Sequence, residues 1–514
     1  MNEANVSAAQ TIVLATLNAK YIHASLGLRY LLANMGDLAA RTALREYVIG
    51  QRPIDIVEDL LAGRPRIIGF GVYIWNVEET TKVLALLRQV APEIILVLGG
   101  PEASHELDAS PLVTLADYVI TGWGDTSFPA LCRALLKGET PPARIIAGEQ
   151  PALDAIAPPY RHYTDADIAN RLIYVEASRG CPFKCEFCLS ALDKTAWPFD
   201  LETFLGEMKA LYERGARHFK FVDRTFNLSV RTSQRILEFF LARMDERLFL
   251  HFELVPDHLP EALKSAIARF PPGSLQFEIG IQSLNPAVQA LISRRQDNDK
   301  ALANLYWLRE YTHAHIHADL IAGLPGEDLT SFARGFDTLY ARRPHEIQVG
   351  ILKRLRGTPI TRHTDRFHMR YNPHPPYNIL ATDRIDFATM QRIGRFARYW
   401  DLIGNSGRFL HTLVTLLGDE PFAHFMRLSD WLFAHTGQTH QFAVDRLFDL
   451  IAEYLIVERR LTEAEALAPL ARDYVESGQR GSPAFLARAP QPPLPVRRMQ
   501  RGASVARQDR HRRQ

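Results

Sequence analysis

Short apolar runs alternate with amphipathic stretches in two series along this chain, and that alternation limits the folds open to it. From Thr11 to about Glu139 the runs "TIVLATL", "RIIGFGVYI", "EIILVLGG" and "DYVITG" read as buried strands, while "VEETTKVLALLRQVA" and "SFPALCRALLKG" carry helical periodicity. Buried strands separated by helices imply an open parallel sheet covered on both faces, here a doubly wound, Rossmann-like α/β domain over residues 11–145. Ligands of such sheets sit beyond the carboxyl ends of the strands. Small residues gather there: Gly71 with Tyr73, then Gly99, Gly100 and Pro101, then Gly122 and Gly124. Tight strand-to-helix turns need glycine with or without a ligand, so each glycine taken singly is explained by the turn.

Segment 151–165, "PALDAIAPPYRHYTD", is rich in Pro without periodicity and marks a domain boundary. A second series follows, with strands "LIYVEAS", "HFKFVD", "FLHFELV", "SLQFEIGIQ", "HIHADLIAG" and "HEIQVGIL" separated by helical segments such as "SQRILEFFLARM". Successive strand-helix units predict a partial TIM-type (β/α) barrel over 166–360, its active site at the carboxyl ends of the strands. Beyond about Thr361 the strand signals fade into an α-helical domain, 361–485. Met390, Ile393, Phe396, Trp400 and Ile403 fall on one face there, and Thr462 with Glu465 forms a capping-box start. Its aromatics, Trp400 and Phe409 among them, read either as core or as a lid over the barrel mouth. Residues 486–514 read as a disordered basic tail: the stretch from 491 carries seven Arg and one Asp, which leaves the rest of a chain of net charge +2 at −4.

Three of the four cysteines, Cys181, Cys185 and Cys188, stand at C-x3-C-x2-C spacing just after the first strand of the second series. So few cysteines in 514 residues make no disulfide framework and point to thiols kept reduced. A structural zinc site wants four ligands, and no fourth Cys or His stands at finger-like spacing, so zinc is the weaker reading. An iron–sulfur cluster normally takes four thiolates, and three on a cubane leave one iron open to a substrate or cofactor. His313, His315 and His317 alternate onto one strand face as ligands can, but they begin at the amino end of their strand, away from barrel chemistry.

The cysteine loop, with Phe187 before its last Cys, resembles the cluster loop of the radical S-adenosylmethionine (radical SAM) superfamily. The resemblance implies a 4Fe-4S cluster on Cys181, Cys185 and Cys188, SAM held by its open iron, and a 5′-deoxyadenosyl radical formed on one-electron reduction. By the same resemblance Phe187, Asp223 in "FVDRTFN", Glu278 and Gln282 in "FEIGIQS", and Leu320, Ile321 and Gly323 in "DLIAGLPGE" are SAM-binding positions, while Gly326 and Glu327 also suit a plain turn into the next helix. A doubly wound domain ahead of such a barrel is similar to that of cobalamin-binding radical SAM proteins, and "ASLGLRYLLANM", "VLGGPEAS" and "VITGWGDTSF" resemble its segments. Gly71, Tyr73, Gly99, Gly100, Pro101, Gly122 and Gly124 are then the cobalamin-binding positions. The signature D-x-H-x-x-G is absent, since the chain reads "YIHASLG", so His23 is not expected to ligate cobalt; a domain that binds nothing is the alternative.

The function this implies is a radical SAM enzyme carrying out cobalamin-dependent methyl transfer to an unactivated carbon. An oxidative or cyclising reaction without methyl transfer, or a non-catalytic Fe-S or cobalamin sensor, stands as the alternative. A methylthiotransferase needs further cysteines for an auxiliary cluster, and only Cys132 remains. The expected partners are a small-molecule substrate and an external one-electron reductant, with no membrane and no specific nucleic acid. No apolar run suits a membrane span or signal peptide, and a cytoplasmic location is expected.

Overall fold

A computed structural model describes residues 11–193 and 195–490, and the arginine-rich stretch from 491 lies outside the described residues. The chain divides into two compact units: one runs to Arg224 and is joined by Lys353–Thr361 and Asn372–Tyr377, and the other holds Thr225–Leu352, Arg362–Tyr371 and the residues from Asn378 onward.

The first unit opens with six parallel strands, β1 (Ile12–Asn18), β2 (Thr42–Val48), β3 (Ile67–Gly71), β4 (Ile95–Gly99), β5 (Tyr118–Gly122) and β6 (Ile145–Gly148), in the order β2-β1-β3-β4-β5-β6. Every residue of β1 is buried, as a strand with helices above and below requires. Helices α1 (Leu26–Ala33) and α5 (Ser127–Leu136) bury Leu28, Phe128 and Leu131 on one face, while α2 (Pro53–Ala62), α3 (Val77–Val90) and α4 (Pro111–Thr114) bury Leu60, Val83, Leu87 and Leu112 on the other. The doubly wound expectation therefore holds, with β2 and β6 as additional edge strands. The chain reverses direction across the sheet between β1 and β3, and a crevice opens at such a switch point.

The same unit continues through α6 (Asp165–Asn170), β7 (Ile173–Val175), an antiparallel hairpin of β8 (Ser178–Gly180) and β9 (Ala196–Pro198), α7 (Leu201–Glu213), and β10 (His218–Phe221), which lies parallel to β7. Segment 151–165 is a packed strap: the Tyr160 hydroxyl donates to the Glu176 carbonyl at 3.1 Å, and that of Tyr163 to the Tyr174 carbonyl at 2.8 Å. Arg29 on α1 is 2% exposed and lies 2.8 Å from both Glu46 of β2 and Asp167 of α6, with Tyr163 beneath its guanidinium.

The second unit runs α8 (Val230–Leu241), β11 (Phe249–Leu254), α9 (Glu261–Ile267), β12 (Leu275–Gln282), α10 (Pro286–Leu291), α11 (Asn298–Tyr311), β13 (His315–Ala322), α12 (Leu329–Tyr340) and β14 (Glu346–Ile351), with consecutive strands paired in parallel. This is the strand-helix alternation of a partial parallel barrel. Helices α13 (Phe387–Leu402), α14 (Leu410–Leu417), α15 (Pro421–Thr436), α16 (Val444–Glu453) and α17 (Glu463–Glu476) follow. All five residues of the α13 stripe are buried, and Thr462 and Glu465 form the reciprocal capping box. Trp400 is 3% exposed and edge-on to Phe336 of α12 at 4.9 Å, and Phe409 is fully buried, so both are core residues. Among the described residues no helix is long and apolar enough to cross a membrane.

Arg29 is buried between two carboxylates, and removing it leaves them to Arg171, which lies 2.8 Å from Glu46 and 3.5 Å from Asp167. Arg29→Ala is expected to destabilise the chain by roughly 3 kcal/mol, the lower end for a broken buried pair because Arg171 remains, read from chemical denaturation. A loss within the range of an exposed ion pair would show that the network contributes little.

Candidate cofactor site

The three thiols sit on one loop that leaves β8. Gly180, at its start, has φ +94°, and a Cβ there would stand 2.7 Å from the Trp197 ring, so only glycine lets the chain turn from β8 into Cys181. The Cys188 amide donates to the Cys185 carbonyl at 3.0 Å, and that of Ala191 to the Cys188 carbonyl at 3.1 Å, which winds the loop tightly. Cys181 and Cys185 are 9% and 8% exposed, while Cys188 and Phe187 are half-buried. Burial, reinforced by the thiols of Cys188 and Cys185, pushes the Cys181 thiol up to about 11, against the Phe183 amide and Arg224. Among the described residues no three His, Cys, Asp or Glu side chains converge closely enough for one metal ion. A polynuclear cluster takes thiolates at separate corners, and a soft three-thiol loop is that kind of donor set. Cys132 is fully buried on α5, its thiol pushed up to about 12 by burial.

The loop is anchored from beneath. Asp223, past the end of β10, accepts from the Ser178 hydroxyl at 2.6 Å and the Ala177 amide at 3.0 Å. Burial pushes its carboxyl up to about 7. Asp223, one of the SAM-binding positions expected from sequence, thus has both its oxygens bonded at the base of the cysteine hairpin.

Beyond the carboxyl ends of β3, β4 and β5 lies a cleft of about 350 Å³. Gly71, Tyr73, Gly99, Gly100, Gly122 and Gly124 all line it. Pro101 does not: it opens a single 3-10 turn, Pro101–Ala103, behind Gly100. Gly100 has φ +98°, and a Cβ there would fall 2.5 Å from the Val72 carbonyl oxygen, so the turn closes over β3 only with glycine. Fully buried Asn76 donates to the carbonyls of Leu17 and Gly71 at 3.0 and 3.2 Å and accepts from the Tyr73 amide at 2.8 Å, holding Tyr73 in the wall. Tyr73 stacks on exposed Trp75 with ring centroids 4.4 Å apart. His23 is not in the lining, and its Nδ1 stands 2.7 Å from the Tyr174 hydroxyl. The cleft is also walled by Glu176 and Arg179, the two residues that flank the start of the cysteine hairpin. Sequence reading passed over both, and the available signal was the position of Arg179 two residues before Cys181.

In the second unit, β12 alternates as expected. Phe277, Ile279 and Ile281 are buried on one face, and Glu278, Gly280 and Gln282 are partly open on the other. Glu278 lies 2.9 Å from His251. At the end of the strand a bulge puts Gln282 at φ +67°, and its side-chain oxygen is buried with no hydrogen-bond partner in the structure. Buried acceptors are rarely left without a partner, and strained backbone gathers at functional sites. On β13 Ile321 shares the partly open face with His317 and Asp319, whose side chains lie 3.6 Å apart, while the Leu320 side chain points into the core. Leu320 can therefore offer a ligand only its backbone. Ile379 and Met390 occupy the space a side chain on Gly323 would need. His315 pairs with Glu346 at 3.0 Å and stacks on His345, a packing role at the amino end of the strand.

Glu327 is buried, accepts from Ser283 at 2.7 Å and Ser331 at 3.3 Å, and burial pushes its carboxyl from 4.5 up to about 7. The folded chain keeps that proton where the unfolded chain has released it, so stability declines from pH 4.5 and this contribution is gone above about 7. Glu327→Gln mimics the protonated form. It is expected to match the parent chain near pH 4.5 and to exceed its unfolding free energy at pH 8 by on the order of 3 kcal/mol; parallel stability curves for the two chains would refute this.

Comparison with known proteins adds three matches. Residues 12–132 match the B12 binding domain, 175–338 the radical SAM superfamily, and 365–496 a protein family of unknown function, DUF4080. An uncharacterized methyltransferase of Pyrococcus horikoshii is 23% identical over 324 residues, 56% of this chain and 68% of the relative. Other curated relatives are matched over a quarter to about half of their length. Among solved structures, the radical S-adenosylmethionine methyltransferase TsrM of Kitasatospora setae, with tryptophan substrate and a SAM analog bound, aligns with a TM-score of 0.57 at 16% identity over 74% of this chain and 81% of its own. The cobalamin-dependent S-adenosylmethionine radical enzyme OxsB, with aqua-cobalamin bound, gives 0.58 at 14% identity over 90% of this chain and 80% of its own.

Proposed function

We infer the function of this chain, which belongs to the radical SAM superfamily and carries a B12 binding domain, from the wall that its cleft and its cysteine hairpin share. The protein is a radical SAM enzyme that transfers a methyl group, with cobalamin, to an unactivated carbon of a small molecule. The shared wall is the observation that carries the reading: Arg179 on β8, and Glu176 two residues before that strand, line the cleft, and β8 leads directly into the thiol loop. Two cofactors held by one such hairpin are arranged for a reaction that uses both. The P. horikoshii relative and TsrM, by their names methyltransferases, support the choice of reaction.

Cys181, Cys185 and Cys188 would hold the 4Fe-4S cluster, and Gln282, Glu278 and the backbone near Leu320 and Ile321 would bind SAM. The cleft walls, with Gly71, Gly99, Gly100, Gly122 and Gly124 admitting close backbone approach, would hold cobalamin. When bound, the cluster with SAM supplies a 5′-deoxyadenosyl radical and cobalamin supplies a transferable methyl group. The chain's own residues position and shield. Phe70, Val97, Leu98, Ile120 and Phe128 keep water from the floor of the cleft, and Asp223 and Gly180 set where the thiols stand. An external one-electron reductant is required. A second reading, a radical reaction without methyl transfer, has support in OxsB, a cobalamin-dependent radical enzyme whose likeness spans 90% of this chain.

The anaerobically reconstituted, reduced chain is expected to bind cobalamin stoichiometrically by absorbance and mass spectrometry and to release 5′-deoxyadenosine from SAM. Cys181→Ala should lose cluster iron and at least about a hundredfold of that release, since loss of a residue that only orients a metal ligand already costs roughly ten- to a hundredfold. Intact cluster and SAM binding without 5′-deoxyadenosine would overturn the enzyme reading, and SAM with a deuterated methyl group separates the two reactions by whether label enters product.

A further inference from the structure

Arg179 lies at the middle of β8, two residues before the first thiol. Its guanidinium carbon is 4.6 Å from the ring centroid of Tyr30 on α1, 4.7 Å from that of Trp123 in the turn after β5, and 5.6 Å from that of Phe199 after β9. Its nitrogens donate to Glu176 at 2.7 and 3.0 Å and to Asp125 at 3.1 Å. Tyr30, Trp123, Asp125 and Glu176 are all lining residues of the cleft. Whatever fills the cleft therefore rests on the groups that grip Arg179.

The path onward to the thiols is short and stiff. Gly180 is closed in by Thr195 and Trp197 across the hairpin, Trp197 stands edge-on to Trp123 at 5.9 Å, and Ser178 is bonded to Asp223. Only the confined Gly180 separates Arg179 from Cys181. An Arg suits this place because its planar face stacks while its edge binds two carboxylates, a combination that Lys lacks.

We propose that Arg179 is a positioning residue that couples the two cofactors: it locks the cysteine loop to the walls of the cleft, so that cobalamin binding and cluster assembly favour one another. This rests on the cofactor assignment made above. It is a statement about linkage, and linkage is reciprocal: if the cluster tightens cobalamin binding, cobalamin stabilises the cluster by the same factor.

The test uses the full chain with and without its reconstituted cluster, and hydroxocobalamin as the probe, titrated anaerobically by absorbance. In the parent chain the dissociation constant is expected to fall about tenfold when the cluster is present, within the usual range of coupling between sites. In Arg179→Met the two constants should agree within about twofold, with Arg179→Lys nearer to the Met variant than to the parent chain. A residue that only supports the fold would weaken both constants and leave their ratio unchanged. Should Arg179→Met fail to fold, Trp123→Leu, which removes one stacking face and keeps the charge, carries the same expectation. The inference is overturned if the parent chain binds hydroxocobalamin equally in both states, or if the variants keep the parent ratio. A cluster-loaded parent chain that binds no hydroxocobalamin at all instead removes the cobalamin assignment, and the inference with it.

Discussion

Two buried carboxylates, Glu176 and Asp223, sit at the base of the cysteine loop, and the rest of the site depends on how they are satisfied. A carboxylate out of water is costly unless hydrogen bonds and a positive partner replace its solvation. Asp223 is answered by the Ser178 hydroxyl and the Ala177 amide, so the turn after β10 holds the start of the hairpin. Glu176 is answered by Arg179, and Arg179 in turn by Asp125 and two aromatic faces of the N-terminal domain. A shift of the loop would have to break the bonds of one of these buried carboxyl groups. A site for reactive chemistry gains from such support, because a thiolate loop left to wander would not present a single open iron position.

The α/β alternation, the cysteine spacing and the glycine turns were legible in the sequence because each is a local pattern. In the N-terminal sheet, the strands that escaped notice are edges. On β2 only Ala43 is fully buried, and Arg45, Glu46 and Tyr47 break the apolar run; on β6 Ile145 is 45% exposed. Edge strands are half-solvated, so their composition approaches that of loops. The hairpin of β8 and β9 was illegible for another reason: Ser-Arg-Gly carries no strand propensity, and it pairs because Trp197 and Gly180 fit against each other. The bonds that Asp223 makes rest on a long-range fact. Position at a strand's carboxyl end is visible in sequence, but whether the side chain is already taken by a neighbour 45 residues away is not.

Glu46 and Arg29 illustrate the same limit within the N-terminal domain. On β2, at the edge of the sheet, Glu46 accepts from Asn18, Ser25, Arg29 and Arg171. One carboxylate thus joins β1, the start of α1 and the residue after α6. The absence of a histidine signature in the loop before α1 is compatible with this arrangement, since the loop is organised around Glu46 and around His23 bonded to Tyr174.

The chain returns to this support after the barrel. Segment Lys353–Thr361 gives its Ile360 amide to the Glu186 carbonyl, between Cys185 and Cys188, at 3.0 Å, and places Arg354 and Arg356 against the turn that follows β4. The two arginines are not equal. Arg354 and Glu106 are about 30% exposed at 2.7 Å, a pair that solvent screens to a fraction of a kcal/mol. Arg356 and Glu102 are 10% and 3% exposed at 3.3 Å, and Tyr377 also donates to Glu102 at 3.1 Å. Burial pushes the Glu102 carboxyl up and Arg356 pulls it back, so here the desolvation and the ion pair offset one another. What such a pair contributes is place more than energy. Glu102 follows Gly100 and Pro101 directly, so a buried charge that tolerates one partner geometry sets the turn at the edge of the cleft, and the segment that supplies the partner also touches the cysteine loop. The cleft and the thiols are thereby tied to each other twice, from below through Arg179 and from above through residues 353–361.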